Sequence, residues 1–583
     1  VHMSRGLGDV YKRQIIGLEE TKNVGQKFIV RQAVEKRNDG SLLENTINQI
    51  AFRYKLANKK KNTPFEMWKE KLQSENDFFS YSLELCLTWL NRILFLKLLE
   101  GQLLKYHRND KKYAFLSNEK IKDFNELNEL FFEVLDENEE ARSVVVKEKF
   151  GNLPFLNSSL FELTDLEMQL FLISNLKHRL EIPIYEHTVL KNEIGKKQKG
   201  KKKTLEYLLE FLDAYNFASD GNASIQEENK TIINAAVLGL IFEKINGYQD
   251  GSFFTPSFVT MYMCRKSIRA AVVQKFNDTY KWKCRNFDDL FNKLDLIRID
   301  EANKTFNTIK ICDPAVGSGH FLVSALNEMI AIKSELRILI DKRGRRLRGY
   351  KAVVENDELI IYLDEEFYEP QVYQYFYKSE SSQRIQETLF HEKQLLIENC
   401  LFGVDINPKS VMICRLRLWI ELLKNMYYTK ASNYTRLETL PNIDINIKVG
   451  NSLVYQFDLN DDYKKLPANV KQKIRMATQK YKEQVFLYKN TSDKITKGII
   501  EANIEKLKQS FKDISQSTDS IYLQKKKKEK ELGETPITFT KEERVAWRRK
   551  AIQLAKDIKS LEQQYQEKVD TCLLYTSDAA DDW

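Results

Sequence analysis

Two stretches of the chain end a β-prone run on an aspartate and resume, a few residues later, as an amphipathic helix. They are TIKICDPAVGSGHFLVSALNEMI, broken at Asp313, and CLFGVDINPKSVMICRLRLWIEL, broken at Asp405. No other feature constrains the fold as much, because repeated strand–turn–helix units are the building blocks of a parallel α/β sheet. In the first turn Gly317 and Gly319 can adopt backbone angles closed to other residues and let a ligand lie against bare backbone. In the second, an acid at a strand tip can accept two hydrogen bonds from the vicinal hydroxyls of a ribose. Each aspartate taken alone could equally cap a helix. Gly-x-Gly alone is weak evidence as well, since a dinucleotide fold wants a third glycine where Leu322 stands.

Around these units the chain divides into regimes. Residues 15–250 are expected to form an α-helical connector domain: Leu83, Leu87, Leu90, Leu94 and Leu98 recur at helical steps, and TLEYLLEFLDAYNF at 204–217 repeats the habit. Inside it, KKQKGKKK at 196–203 reads as a mobile lysine-rich loop. Residues 251–456 alternate short apolar runs with helical ones and are expected to be α/β. Within them YKAVVENDELIIYLDEE, two β-prone runs around a polar turn, predicts an inserted hairpin at about 340–370 with no evident catalytic role. Residues 457–571 predict a coiled-coil hairpin. One helix carries Val470, Ile474, Ala477 and Tyr481, and the other runs from Trp547 to Tyr565 behind a capping box from Thr540 to Glu543. These two are expected to pair across a polar, lysine-rich stretch.

The ends have a different character. SRGLGDVYKRQ near the start and CLLYTS near the finish can be translated from opposite strands of one DNA segment, and both resemble translated adapter from transposase-based library preparation. Residues 1–14 and 572–583 are therefore expected to be scars, and 15–571 an internal piece of a longer protein.

Composition narrows the chemistry. Apolar residues make up 42% of the chain, enough for several cores, and the formal charge of +9 suits a polyanionic partner. The cysteines 86, 264, 284, 312, 400 and 414 contain no CxxC pair, which fits reduced thiols in a cytoplasmic protein without a zinc site. His107, His178, His187 and His391 lack ligand spacing, and His320 reads as a packing residue at a helix start. The most apolar helix is interrupted by charge about once per turn, which argues against a membrane span.

Taken together the motifs resemble those of S-adenosylmethionine-dependent DNA adenine-N6 methyltransferases. DPAVGSGHF is similar to motif I and GVDINP to motif II, while DGSFFTPSFVTMYMC upstream is similar to motif X and IKVGNSL downstream to motif III. The helical region, the junction LGLIFEKINGYQDGSFFTP and the long insertion after motif III extend the resemblance to single-chain type IIG restriction-modification enzymes. The resemblance implies an α/β Rossmann-like methyltransferase domain, incomplete here, preceded by an α-helical domain and followed by the coiled-coil hairpin. It implies S-adenosyl-L-methionine as cofactor and double-stranded DNA as partner of the intact parent, with no obligate protein partner evident. Phe254, Thr255 and Pro256 would hold the methionine end, with Thr255 as cap and Pro256 as first helical residue. Asp313, Pro314, Ala315, Gly317, Ser318, Gly319 and Phe321 would form the turn. Asp405 with Ile406 would take the ribose and Asn451 would lie near the adenine.

Three departures stand beside it. Asp313 and Asp405 lie much farther apart than the ~20 residues of a simple dinucleotide unit. No Asn-Pro-Pro occurs, so the NPPY-type motif IV that would localise the lone pair of the adenine amine and stack a flipped base is missing, and no turnover is expected from these residues as written. No nuclease strand context is evident between 15 and 50, where Glu35 and Lys36 read as solvated surface. Two other readings are an NAD-binding oxidoreductase and a non-enzymatic helical DNA-binding or scaffold protein.

Overall fold

The computed structural model describes residues 10–575 apart from 24–25, 60–65, 138–139, 141, 152, 157–158, 193, 218–230, 234–254, 364–370, 442, 444, 453–467, 492–493, 517–519 and 534–540. They form two compact units. The first comprises Val1–Ile311, Val316–Phe402 and Lys409–Pro441, and the second Cys312–Ala315, Gly403–Pro408 and Asn442–Trp583.

The first unit opens, contrary to the helical expectation, on an antiparallel hairpin of β1 (Leu18–Asn23) and β2 (Gln26–Arg31). Lys36, just beyond it, bonds Glu19 of β1 at 2.7 Å. The long helix α1 (Glu75–Tyr106) starts at a capping box in which Ser74 and Asp77 satisfy each other's backbone N–H groups. It is buried on nearly every side, so its polar residues need partners. Arg92 meets Glu167 at 2.5 Å, and Trp89 donates to the same carboxylate at 2.9 Å. The expected lysine loop is instead partly strand: β3 (Glu181–Pro183) pairs antiparallel with β4 (Lys201–Lys203). The helix expected over 204–217 ends early, as α2 (Thr204–Asp213). Its last residues form β5 (Tyr215–Phe217), parallel to β6 (Thr231–Ile233).

Next come α3 (Ser257–Tyr280), β7 (Ile311–Asp313) and α4 (His320–Glu335). The predicted insertion is a three-stranded antiparallel sheet of β8 (Tyr350–Glu355), β9 (Glu358–Leu363) and β10 (Gln371–Val372). Its two-residue turn, Asn356 and Asp357, has φ of 51° and 67°, the mirrored geometry that matches the twist of a tight hairpin. Helix α5 (Glu380–Asn399), strand β11 (Leu401–Asp405) and helix α6 (Pro408–Leu423) follow without a long loop. Strand β12 (Ile447–Val449) pairs parallel with β11, and the sheet runs in the order β12, β11, β7.

The helices after the sheet depart from the predicted pairing. Helix α7 (Ala468–Asn490) packs antiparallel on its neighbour α8 (Lys494–Gln516), with Tyr481, Val485 and Tyr488 of one against Ile500 and Ile504 of the other. Helix α9 (Ser520–Gly533) pairs likewise with α10 (Lys541–Tyr575), where Lys525 meets Glu562 and Lys528 meets Asp557. The stretch expected to separate two long helices is thus itself helical, and there are two hairpins.

Buried charge fastens the helices on either side of β11. Lys393 of α5 lies 3.2 Å from Glu421 of α6, and Lys424 reaches the other oxygen of that carboxylate at 2.7 Å. Burial works to raise the Glu421 pKa, but Lys424 and Lys393 outweigh it and hold the group at about 2. Burial brings the Lys393 ammonium down to about 8, in spite of Glu421. Replacing Glu421 by glutamine should leave a buried ammonium uncompensated and cost about 3–5 kcal/mol in chemical denaturation at neutral pH. Because the carboxyl is held below its ordinary value, its contribution should be intact above pH 4.5 and be lost as the pH falls toward 2, a loss the glutamine variant should not show.

Candidate functional site

At the carboxyl edge of the sheet, in the second unit, three segments meet. Asp313 ends β7 and accepts the Ala315 N–H at 3.0 Å. Asp405 ends β11 and accepts the Asn407 N–H at 2.8 Å, while its carbonyl accepts the Gly450 N–H at 2.8 Å. Ser452 donates to the Pro314 carbonyl at 2.6 Å, so the residues flanking Asn451 are bonded to the turns after both acids. Burial raises the Asp313 pKa and the Asp405 charge adds to the rise, against the pull of the Ala315 N–H. Asp313, Asp405 and Asn451 thus share one edge, and both acids also serve their own turns. Pro314, Ala315 and Ile406 are exposed there, as is Cys312. Nothing in the local sequence marks Ser452, whose role depends on a partner 138 residues away.

The continuation of the first turn lies in the first unit. Gly317 and Gly319 have φ of 53° and 83°, as the motif requires. The bareness of Gly319, however, serves packing. A Cβ there would come within 2.6 Å of the Cys414 Sγ and 3.2 Å of its Cα on α6, so a helix occupies the space that sequence reserves for a ligand. Ser318 is buried beside Arg417, whose Nη1 lies 3.4 Å from its carbonyl and hydroxyl oxygens. Phe321 is half-buried, and its carbonyl faces the Cys264 thiol of α3. Thr255 is not the cap of α3: Pro256 occupies that position, without a side-chain bond, and the helix starts at Ser257. Phe254 lies outside the described residues.

The hairpin insertion, which sequence leaves without a role, sends its turn into the helices behind these motifs. Asp357 is buried; its carboxylate accepts from Ser324 at 2.9 Å and lies 3.7 Å from His320, both in the first turns of α4. Ser324 is 2.9 Å from Thr260 of α3, and the Asp357 N–H points at the Met261 sulfur, 2.9 Å away. Burial raises the Asp357 pKa, and the Ser324 hydroxyl and the His320 and Arg417 charges oppose the rise. The turn thus bonds the start of α3 to the start of α4. Among the described residues no group of His, Cys, Asp and Glu could hold a metal ion, and no helix is long and apolar enough to cross a membrane.

Comparison with known proteins assigns a class to this arrangement. Residues 291–511 match the family model of the MmeI DNA-methyltransferase domain, and residues 12–233 match a domain of unknown function, DUF7814. A protein of Methanocaldococcus jannaschii, described as a candidate type II restriction enzyme and methyltransferase, is 28% identical over 405 residues. The alignment takes in 64% of this chain and 27% of the relative, so the chain spans about a quarter of that protein's length. The likeness is therefore to the DNA-methyltransferase portion of that family and to part of one restriction-modification protein. No solved structure matches it.

Two substitutions probe the packing behind the motifs. Gly319→Ala combines a left-handed backbone with a collision against Cys414 and should cost about 2–4 kcal/mol by chemical denaturation. Asp357→Ala should cost about 1–3 kcal/mol by stranding the hydrogen bonds of its neighbours, whereas Asp357→Asn, which keeps an acceptor for Ser324, should cost clearly less.

Proposed function

We propose that the chain holds S-adenosyl-L-methionine at the carboxyl edge of a Rossmann-like sheet, as the cofactor part of a site-specific DNA adenine-N6 methyltransferase. The observation that carries this reading is the meeting of Asp313, Asp405 and Asn451 at one sheet edge, in the motif order of that class, where open α/β sheets take their ligands. The donor set fits the group. Asp405 can accept from the two hydroxyls of a ribose, and a second carboxylate at Asp313 favours a ligand that carries positive charge. Asn451 offers a donor and an acceptor to the edge of an adenine ring. Gly317 and Ser318 give the turn between Asp313 and α4 its shape, while Thr255 and Pro256 precede α3, where the motif resemblance puts the methionine end.

When bound, the cofactor supplies a methyl group made electrophilic by its sulfonium. What this chain contributes is binding and orientation. The groups that would accept the hydrogens of an adenine amine are absent from the sequence, which contains no Asn-Pro-Pro, so we expect cofactor binding without transfer. Duplex DNA as partner and a cytoplasmic setting beside it belong to the same reading.

Calorimetric titration with S-adenosyl-L-methionine should give saturable heat. Asp405→Ala should weaken binding about tenfold or more, equivalent to ~1.4 kcal/mol. Affinity should also fall as the pH is lowered through the raised Asp313 pKa, since protonation removes a charge that favours the cation. Absence of heat from a protein with an intact circular dichroism spectrum would overturn the assignment. In the same preparation, transfer of labelled methyl to duplex DNA is expected to be undetectable; measurable transfer would refute the expectation of binding alone.

A further inference from the structure

Away from the sheet edge, the first unit gathers aromatic rings and cations from three loops. The first follows α1: His107 stacks on Tyr113 with ring centroids 3.6 Å apart and planes 6° from parallel. The second, ahead of α5, brings Phe376 and Tyr377; the third, after α6, brings Tyr428 and Tyr434. Tyr377 lies 5.3 Å from Tyr428, 6.4 Å from Tyr434 and 5.7 Å from His107. His107 Nε2 and the Tyr428 hydroxyl, 2.7 Å apart, tie the first loop to the third, and burial lowers the His107 pKa against the pull of Asp110. These rings are not sealed from water: Phe376 is 41% exposed, and Tyr113, Tyr377 and Tyr434 are half-buried.

The rim is cationic. Arg108 sits over the Phe376 ring at 5.8 Å and Lys378 over Tyr377 at 5.8 Å. Lys111, Lys112, Lys430 and Arg436 are exposed on the same loops. Acids lie on the same loops, among them Asp110, whose carboxylate is engaged by the Lys112 N–H, and Glu438, which accepts from the Tyr427 hydroxyl at 2.6 Å, with Glu380 at the start of α5. Backbone strain also concentrates here. Of the eight described residues other than glycine with positive φ, four are Arg108, Asn109, Asn433 and Tyr434. Such conformations cost energy and persist where the surroundings dictate a particular loop shape.

Six exposed cations, beside acids of which Asp110 and Glu438 are already engaged by neighbours, call for a polyanion, and exposed ring faces among them call for one with flat or apolar groups between its charges. We propose that this aromatic and basic surface is a docking surface for duplex DNA, in which Arg108, Lys378 and Arg436 meet phosphates and Phe376 packs against the sugars between them. The proposal rests on the reading of duplex DNA as substrate and adds a binding surface formed jointly by the helical region and the loops around α5 and α6.

The test is fluorescence anisotropy with a labelled duplex, titrated at several salt concentrations. The triple variant Arg108→Ser, Lys378→Ser, Arg436→Ser should bind more weakly, and the slope of log affinity against log salt should become shallower by about 0.9 for each phosphate that is no longer neutralised. Phe376→Ala should lower affinity with the slope unchanged, a split that mere unfolding would not produce. A folded triple variant with the affinity and slope of the parent would overturn the surface while leaving the substrate reading intact. Failure of the parent chain itself to bind duplex DNA would overturn both. Preference of the parent for single-stranded DNA, abolished in the triple variant, would overturn the duplex assignment.

Discussion

The buried charges between α5 and α6 fix how the helix before β11 packs on the helix after it. Lys393, Lys424 and Glu421 are almost entirely removed from water, and one helix earlier Lys333 pairs with Glu392, which also accepts from Asn303 at 3.0 Å. Desolvating so many ions is expensive, and their attraction repays it only when every partner is present. Such a network adds little net stability, but it tolerates few alternative packings. It joins the helix entering β11 to the helix leaving it, and β11 is the strand that ends in Asp405.

What sequence predicts well is local. At Asp313 and at Asp405 the change from period two to helical period, with a turn between, is enough to mark strand, turn and helix. The tight turn at Asn356, between two β-prone runs, is of the same kind. What sequence misses depends on partners far along the chain. Heptad-like spacing at Val470 and at Trp547 indicates a helix with an apolar stripe, and it does not say which stripe covers it; the short connections favour the nearest neighbour, and two hairpins result. Lys201–Lys203 looks like solvated loop because lysine carries no strand signal, yet a short exposed strand is where lysines are tolerated in a sheet.

Gly319 and Asp357 show the same limit within the first unit. A glycine in a turn suggests a ligand, but the backbone of α6 uses the same bareness. The acid in a hairpin tip suggests solvent, as most turn aspartates do. Here the insertion folds back so that this acid reaches Ser324 and the turn N–H reaches Met261, and an apparently accessory sheet becomes a brace for two helix starts. No pattern within the insertion itself could reveal that.

Among the described cysteines, Cys86, Cys264, Cys284, Cys400 and Cys414 are buried and Cys312 alone is exposed, immediately before Asp313. Burial pushes the Cys86 thiol up to about 12 and that of Cys400 to about 11, which keeps both in the unreactive protonated form. Among the cysteines whose side chains are described, Cys312 is therefore the attachment point for a thiol-directed fluorophore, at the tip of β7, where light would report on the surroundings of Asp313 without any introduced residue.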